Sequence, residues 1–362
     1  MLRVHSKSND VHLIAPTAES RSVPSRKVPG RSSAGVDSVA PRIEPLPGGI
    51  KRPLWSVMIP TYNSARYLRQ TIRSVLAQDP GSDQMQIEVV DDCSTLDDPA
   101  TVVEEEGKGR VLFYRKQANE GATKTFNTCI ERSRGHLVHI LHGDDAVGAG
   151  YYDKITEVAT LNPEVGLIAA RCFVIDEDSE ICGVTPRVRM LEVAGKSATP
   201  FFYTTPIEYA GVTVRREAYE KLGGFRLDLV HTADCEMWGR IVSAKGGIIL
   251  RDILAYYRYF AANDTARLMK TAENIRDHCR LYEVMSRSYP EFSVELAREK
   301  AINMARGQYY RFLELGDEKA VAAHYQILLE LMPSFRRYKW QLRNMIDRCM
   351  PRLVEIYRRG LR

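Results

Sequence analysis

Apolar residues fall into two different rhythms along this chain. Between Leu54 and Leu141, short apolar runs alternate with segments whose apolar positions recur every three or four residues. "LWSVMIP", "QIEVVDD", "GRVLFYRK" and "HLVHIL" are near-continuous and rich in β-branched residues, the pattern of strands buried on both faces. "NSARYLRQTIRSVLAQ" places Leu68, Ile72, Val75 and Leu76 on one helical face, with Asn63 or Ser64 as its cap. "NEGATKTFNTCIERSRG" has the same period, and Gly135 is its expected stop. This alternation predicts a mostly parallel sheet covered by helices on both faces, with ligands outside the carboxyl ends of the strands.

Beyond Val165 the rhythm is mixed. "GLIAARCFVID" reads as a strand and "PIEYAGVTVRREAYEKLGGF" as strand, helix and Gly-Gly turn. "DCEMWGRIVSAKG" reads as a helix closed by Gly246-Gly247, and "IILRDILAYYRY" as a further strand. From about residue 268 the period is helical throughout. "AENIRDHCRLYEVMSRS" aligns Ile275, His278, Tyr282 and Met285, at least two more helices follow to Met332, and a basic amphipathic segment broken at Pro351 ends the chain.

Charge changes this picture at the ends. Residues 1–52 carry +5 and residues 334–362 carry +7, so with a total of +5 the 281 residues between them carry −7. An acidic middle argues against a nucleic-acid-binding core. Residues 1–52 are rich in Ser, Pro, Gly and Arg without periodicity and read as a disordered basic tail. The C-terminal basic helix has two readings, a solvated surface helix or an interfacial anchor with Trp340, Leu342, Met345 and Ile346 on its apolar side. Seven scattered cysteines without a C-x-x-C pair, no apolar run of membrane-spanning length and no apolar stretch near the N-terminus predict a cytoplasmic protein, membrane-associated only through that helix.

The strand ends carry the candidate chemistry. The first stops at Pro60-Thr61-Tyr62, the second at Asp91-Asp92 and the fourth at Gly143-Asp144-Asp145. In one parallel sheet these ends lie side by side, and four carboxylates at one edge call for a cation. Hard oxygen ligands suit Mn²⁺ or Mg²⁺ shared with substrate phosphates. Taken singly, each Asp pair has an ordinary reading as a strand-end turn. Asn119, with Gly121 after it, looks like a loop that lets a helix begin close to a ligand, and Lys124 and Asn127 have two readings, as contacts to a diphosphate or sugar or as ordinary helix residues. His139 reads as structural, and Trp238 as core or acceptor wall.

Four of these stretches, in this order, resemble the family 2 glycosyltransferases: "SVMIPTYNSARYLRQTIRSVLAQ", "IEVVDDCST", "NEGATKTFNTCIERSRGHLVHILHGDD", and "GGFRLDLVHTADCEMWGRI" followed by "YYRY". The resemblance covers about residues 54–260. It implies a GT-A fold, a Rossmann-like α/β/α sandwich with a mostly parallel sheet, here followed by a C-terminal helical region. The implied domains are a tail at 1–52, a glycosyltransferase domain at 53–265 and a helical region at 266–362. Within that domain, 53–150 would bind the nucleotide sugar and 151–265 the acceptor.

The implied activity is an inverting, metal-dependent transfer from a nucleoside diphosphate sugar, a UDP-sugar foremost, to a hydroxyl of a glycan or lipid-linked acceptor in cell-surface polysaccharide synthesis. The alternative is a non-catalytic nucleotide-sugar-binding or scaffolding protein on the same fold. By resemblance, Pro60 and Tyr62 line the nucleobase pocket and Asp92 bonds the uracil edge with Asp91 beside it. Asp144 and Asp145 match the metal motif, one near the ribose and one on the cation. Asp234 matches the catalytic base, with Glu236 as competitor. Two positions depart from the family: His142 stands where many members have an acid, and Phe260 falls about where they have a His, leaving Arg258 as the nearby charge. An NAD-type Rossmann protein is excluded because the first strand–helix turn, "PTYNSAR", contains no glycine.

Overall fold

The computed structural model describes residues 40–189, 197–260, 264–334 and 340. Most of the N-terminal tail and of the C-terminal basic segment, including Leu342, Met345, Ile346 and Pro351, lies outside the described residues.

Nine strands form one sheet: β1 (Trp55–Thr61), β2 (Met85–Asp91), β3 (Leu112–Arg115), β4 (Leu137–Ile140), β5 (Ala146–Val147), β6 (Leu167–Ile175), β7 (Ile181–Val184), β8 (Val212–Arg215) and β9 (Gly247–Arg258). Their order is β3-β2-β1-β4-β8-β6-β9-β5, with β7 pairing the C-terminal end of β6, beyond the stretch that pairs β8. The first four strands are parallel, as their continuous apolar runs predict. The second half is mixed. β8 runs antiparallel to β4 and β6, β9 is parallel to β6, and β5 antiparallel to β9.

The sheet is covered on both sides because β1 alternates its faces. Val57 and Ile59 join one core with Leu68, Ile72 and Val75 of α1 (Ala65–Leu76), and Met58 joins the other with Cys129 and Ile130. Two further helices follow among the parallel strands, α2 (Pro99–Gly107) and α3 (Ala122–Arg132), and α4 (Tyr151–Leu161) shares a core with α1. The third helix stops at its C-cap Ser133, two residues before the glycine expected to end it. Gly135 serves a different purpose. A Cβ there would stand 2.4 Å from the Ser56 nitrogen, so only glycine lets the chain pass β1 this closely.

The mixed half of the sheet adds α5 (Arg216–Leu222) and α6 (Ala233–Lys245). The helical region then follows with α7 (Asp264–Lys270), α8 (Glu273–Ser288), α9 (Val294–Glu314) and α10 (Glu318–Leu331). The face of α8 read from sequence is buried throughout, and it is shared between two cores. Leu281, Tyr282 and Met285 pack with Trp238 and Ile241 of α6, whereas Ile275 packs with Ile302, Tyr309 and Leu328. The helical region is therefore continuous with the sheet through α8. None of the described helices is long and apolar enough to cross a membrane. Among the described residues the six cysteines are free.

Candidate active site

The loop after β4 is held from three directions. Gly143 donates its N–H to the Pro60 carbonyl at the end of β1 (2.9 Å), and a Cβ on Gly143 would meet the Thr61 hydroxyl at 3.0 Å. From beneath, the Thr71 hydroxyl of α1 donates to the Asp145 carbonyl (2.7 Å). From β9, Arg258 gives its backbone N–H to Asp145 Oδ1 (2.8 Å) and its Nε–H to the Asp144 carbonyl (2.8 Å). Pinned this way, Asp145 is 2 % exposed and its Oδ2 has no partner. A buried carboxylate oxygen without a donor is costly.

His142 completes the cluster. Its Nδ1 lies 3.9 Å from Asp145 Oδ2, its Nε2 is buried and unpartnered, and its ring stacks on Phe126 with centroids 5.0 Å apart. His142, Asp144 and Asp145 each offer a ligand atom within 4.8 Å of one another. Burial holds the His142 ring neutral by pushing its pKa down to about 4. Burial pushes Asp144 up to about 6 and Asp145 well above the usual carboxylate range, with the neighbouring Asp144 charge adding to the latter. Two oxygen donors, a neutral imidazole and orphaned atoms on Asp145 and His142 fit a divalent transition-type cation such as Mn²⁺.

Two more acids belong to the later, mixed half of the chain. Glu208 precedes a 3₁₀ turn at Tyr209–Gly211, and Asp234 is the second residue of α6. Burial lifts Glu208 to about 7, with Asp234 adding to it, and burial lifts Asp234 to about 7, with Asp277 adding to it. Glu208 also raises the proton affinity of Asp145, so it links the two ends of the site electrostatically. Asp234 Oδ1 accepts the N–H of its neighbour Cys235 (2.7 Å). Glu236, the competing base, is paired with Arg240 at 2.9 Å and buried, which leaves Asp234 as the less committed carboxylate.

The other candidate residues are placed less uniformly. Tyr62 is exposed at the end of β1, and Pro60 is buried beneath it. Asp91 is fully buried; it accepts from Arg115 Nε (2.6 Å) and from the Ser94 hydroxyl (2.6 Å). Asp92 accepts the N–H groups of Glu120 and Gly121 and pairs with the buried Lys116 Nζ (2.8 Å). Asp92 thus ties β2 to the loop that opens α3, whereas Asp91 ties it to the end of β3 and to the turn at Ser94. Asn119 and Lys124 on and after that loop are exposed. Asn127 exchanges two hydrogen bonds with the Phe225 backbone (2.7 and 2.9 Å), so its amide is structural.

Trp238 is 1 % exposed and belongs to the core. His139 is buried and bonded to the Ala210 carbonyl, with burial holding it neutral. Arg258, read as a free charge near the phosphates, is instead buried. Its guanidinium donates to the Asp176 carbonyl, to Ser179 and to Gln70 and lies over the Tyr67 ring.

Glu208 has no sequence signal of its own; it sits in a strand-like stretch, and only the fold turns it toward Asp234. His142 was visible at the motif position where an acid is missing, and imidazole as a replacement donor was the signal to follow.

Residues 56–223 match the family described as Glycosyl transferase family 2. An uncharacterized glycosyltransferase of Nostoc sp. is 27% identical over 272 residues, covering 71% of this chain and 80% of its own. TarS of Staphylococcus aureus, a poly(ribitol-phosphate) β-N-acetylglucosaminyltransferase, is 32% identical over 95 residues, 26% of this chain and 16% of TarS. The structure of TarS residues 1–349 in complex with UDP-GlcNAc superposes with a TM-score of 0.50 at 16% identity, covering 78% of this chain and 91% of that one. The mannosyltransferase PcManGT from Pyrobaculum calidifontis, in complex with GDP-Man and Mn²⁺, also gives 0.50 at 16% identity, covering 83% and 82%. The mixed α/β sheet agrees in fold with these structures, and residues 56–223 form a family 2 glycosyltransferase domain.

Proposed function

We propose that this enzyme is inverting and metal-dependent. In this reading it moves a sugar from a UDP-sugar to a hydroxyl of a glycan or lipid-linked acceptor during cell-surface polysaccharide synthesis. The observation that carries the reading is the orphaned Asp145 Oδ2, fixed by Arg258 and Thr71 at the carboxyl edge of the parallel strands.

In this proposal Asp145 and Asp144, with the His142 ring beside them, hold the cation. When bound, Mn²⁺ or Mg²⁺ neutralises the negative charge that grows on the departing nucleoside diphosphate. Tyr62 is the accessible aromatic for the nucleobase, over Pro60. Asp92 holds the loop of Asn119 in place, Asp91 holds the end of β3 beside it, and the exposed Lys124, 3.7 Å from Glu120, offers a cation to phosphates. Asp234 takes the proton from the attacking hydroxyl. Its proton affinity, lifted by burial to about 7, suits a general base at neutral pH. The hydroxyl oxygen bonds to the anomeric carbon on the face opposite the leaving group, the bond to the diphosphate breaks, and the configuration inverts.

TarS and its UDP-GlcNAc complex make UDP-GlcNAc the first donor to try, and the GDP-Man complex of PcManGT makes GDP-Man the second. The test is a panel of nucleotide sugars with Mn²⁺ or EDTA, reading released nucleoside diphosphate with lipid extract as acceptor. Metal-dependent release from one donor, lost in Asp145→Ala, is the expected result. Release that survives both EDTA and the substitution would contradict the metal-dependent reading.

A further inference from the structure

Helix α8 lies beyond both the family match at 56–223 and the motifs that resemble the family, yet one of its side chains controls the entry to α6. Asp277 is fully buried. Its Oδ2 accepts the N–H groups of His231 and Thr232 at 2.8 Å each and the Thr232 hydroxyl at 2.9 Å. Its Oδ1 accepts the N–H of Val230 at 3.2 Å, and Arg280 stands 3.1 Å away. One residue on, the His278 ring packs against the His231 ring with centroids 5.7 Å apart. Thr232 is the N-cap of α6, and a threonine there ordinarily bonds into its own helix. Here it makes no such bond, because its hydroxyl goes to Asp277. Three consecutive amides leading into the helix of Asp234 therefore hang on one carboxylate from the helical region.

We propose that Asp277 is a positioning residue for glycosyl transfer, fixing Val230–Thr232 so that Asp234 meets the acceptor hydroxyl. The proposal rests on the reading of Asp234 as the base. The geometry has an electrostatic companion. Burial raises the proton affinity of Asp277, but the donors from His231, Thr232 and Val230 outweigh it, and the group is held below the usual carboxylate range. Its negative charge in turn raises the proton affinity of Asp234. The titratable groups facing Asp234 are Glu208 and Tyr209 from the 3₁₀ segment, Cys235 on α6 and Asp277 from α8.

The test uses the full chain as wild type, D277N, T232V and D234N. Amide exchange is read at Val230–Thr232. The Asp234 titration is read by carbon NMR on aspartate-labelled protein, its signal identified by loss in D234N, and nucleotide release is assayed in parallel. In D277N, exchange at the three amides should accelerate about 10-fold or more while α9 and α10 keep their protection. The Asp234 midpoint should fall as a like charge is removed. Nucleotide release should drop, with the donor KM unchanged. T232V removes one bond but keeps the charge, so it should loosen the loop less and leave the midpoint in place. Unchanged exchange in D277N overturns the proposal. Faster exchange with an unmoved midpoint and normal release reduces Asp277 to a structural anchor and also overturns it. Full activity in D234N, whatever D277N does, instead removes Asp234 as the base.

Discussion

The two loops that carry the proposed cation and base residues are built on opposite plans. The His142–Asp145 loop is secured by its own half and the sheet next to it: the end of β1, Thr71 of α1 and Arg258 of β9. The Val230–Asp234 loop is secured from outside, by Asp277 on α8. The first loop leaves a carboxylate oxygen without a partner, and the second holds a carboxylate that accepts a neighbouring N–H. On the proposed roles, the cation loop is held by the sheet itself, whereas the base loop hangs on a helix added after it.

The largest effect that would sharpen this contrast is at the first loop. Asp145→Ala should lower nucleotide release by about 10³-fold or more, because charge on the leaving diphosphate goes unneutralised. Asp234→Asn should cost about 10²-fold or more in kcat, the scale of a lost general base, and leave metal binding intact. Arg258→Lys acts one step out. An ammonium cannot reproduce the guanidinium's bonds to Asp144, Asp176, Ser179 and Gln70, so Mn²⁺ affinity should fall about 10-fold while the Asp234 midpoint stays put. If Arg258→Lys disturbed the base loop as much as the metal loop, the two plans would not be separate.

The smallest effect is on stability. Asp144, Glu208 and Asp234 have proton affinities raised on folding, to about 6, 7 and 7. Groups of this kind favour the folded state fully below their unfolded pKa, near 4, and that contribution is lost as pH rises through 6 to 7. Metal-free protein should therefore melt lower at pH 8 than at pH 5, by about 2–4 °C. Mn²⁺ should restore more of the melting temperature at pH 8 than at pH 5, read by calorimetry with and without the ion.

The parallel half was largely legible because its chemistry follows the chain. Apolar runs ending in Asp91-Asp92 and Gly143-Asp144-Asp145 announce parallel strands and their carboxyl edge, and the four strands pair as those runs predict. Less of the mixed half could be read. Its strands mix directions, since β8 inserts antiparallel between β4 and β6, a pairing that no local period encodes. Gly135 looked like a helix stop, but its constraint comes from β1, some 80 residues earlier. Arg258 looked like a phosphate contact because its type suits one, and only the structure shows its guanidinium fully engaged. Glu208 and Asp277 gain their meaning from partners remote in sequence, which periodicity cannot supply.

The central claim is that Asp145 Oδ2 lacks a protein partner because a cation belongs there. The most direct measurement is Mn²⁺ titration of wild type, Asp145→Ala and Asp234→Asn, each with UDP, following free Mn²⁺ by electron paramagnetic resonance. One saturable site in the wild type and in Asp234→Asn, absent in Asp145→Ala, is the predicted result. Equal Mn²⁺ binding by all three would contradict it.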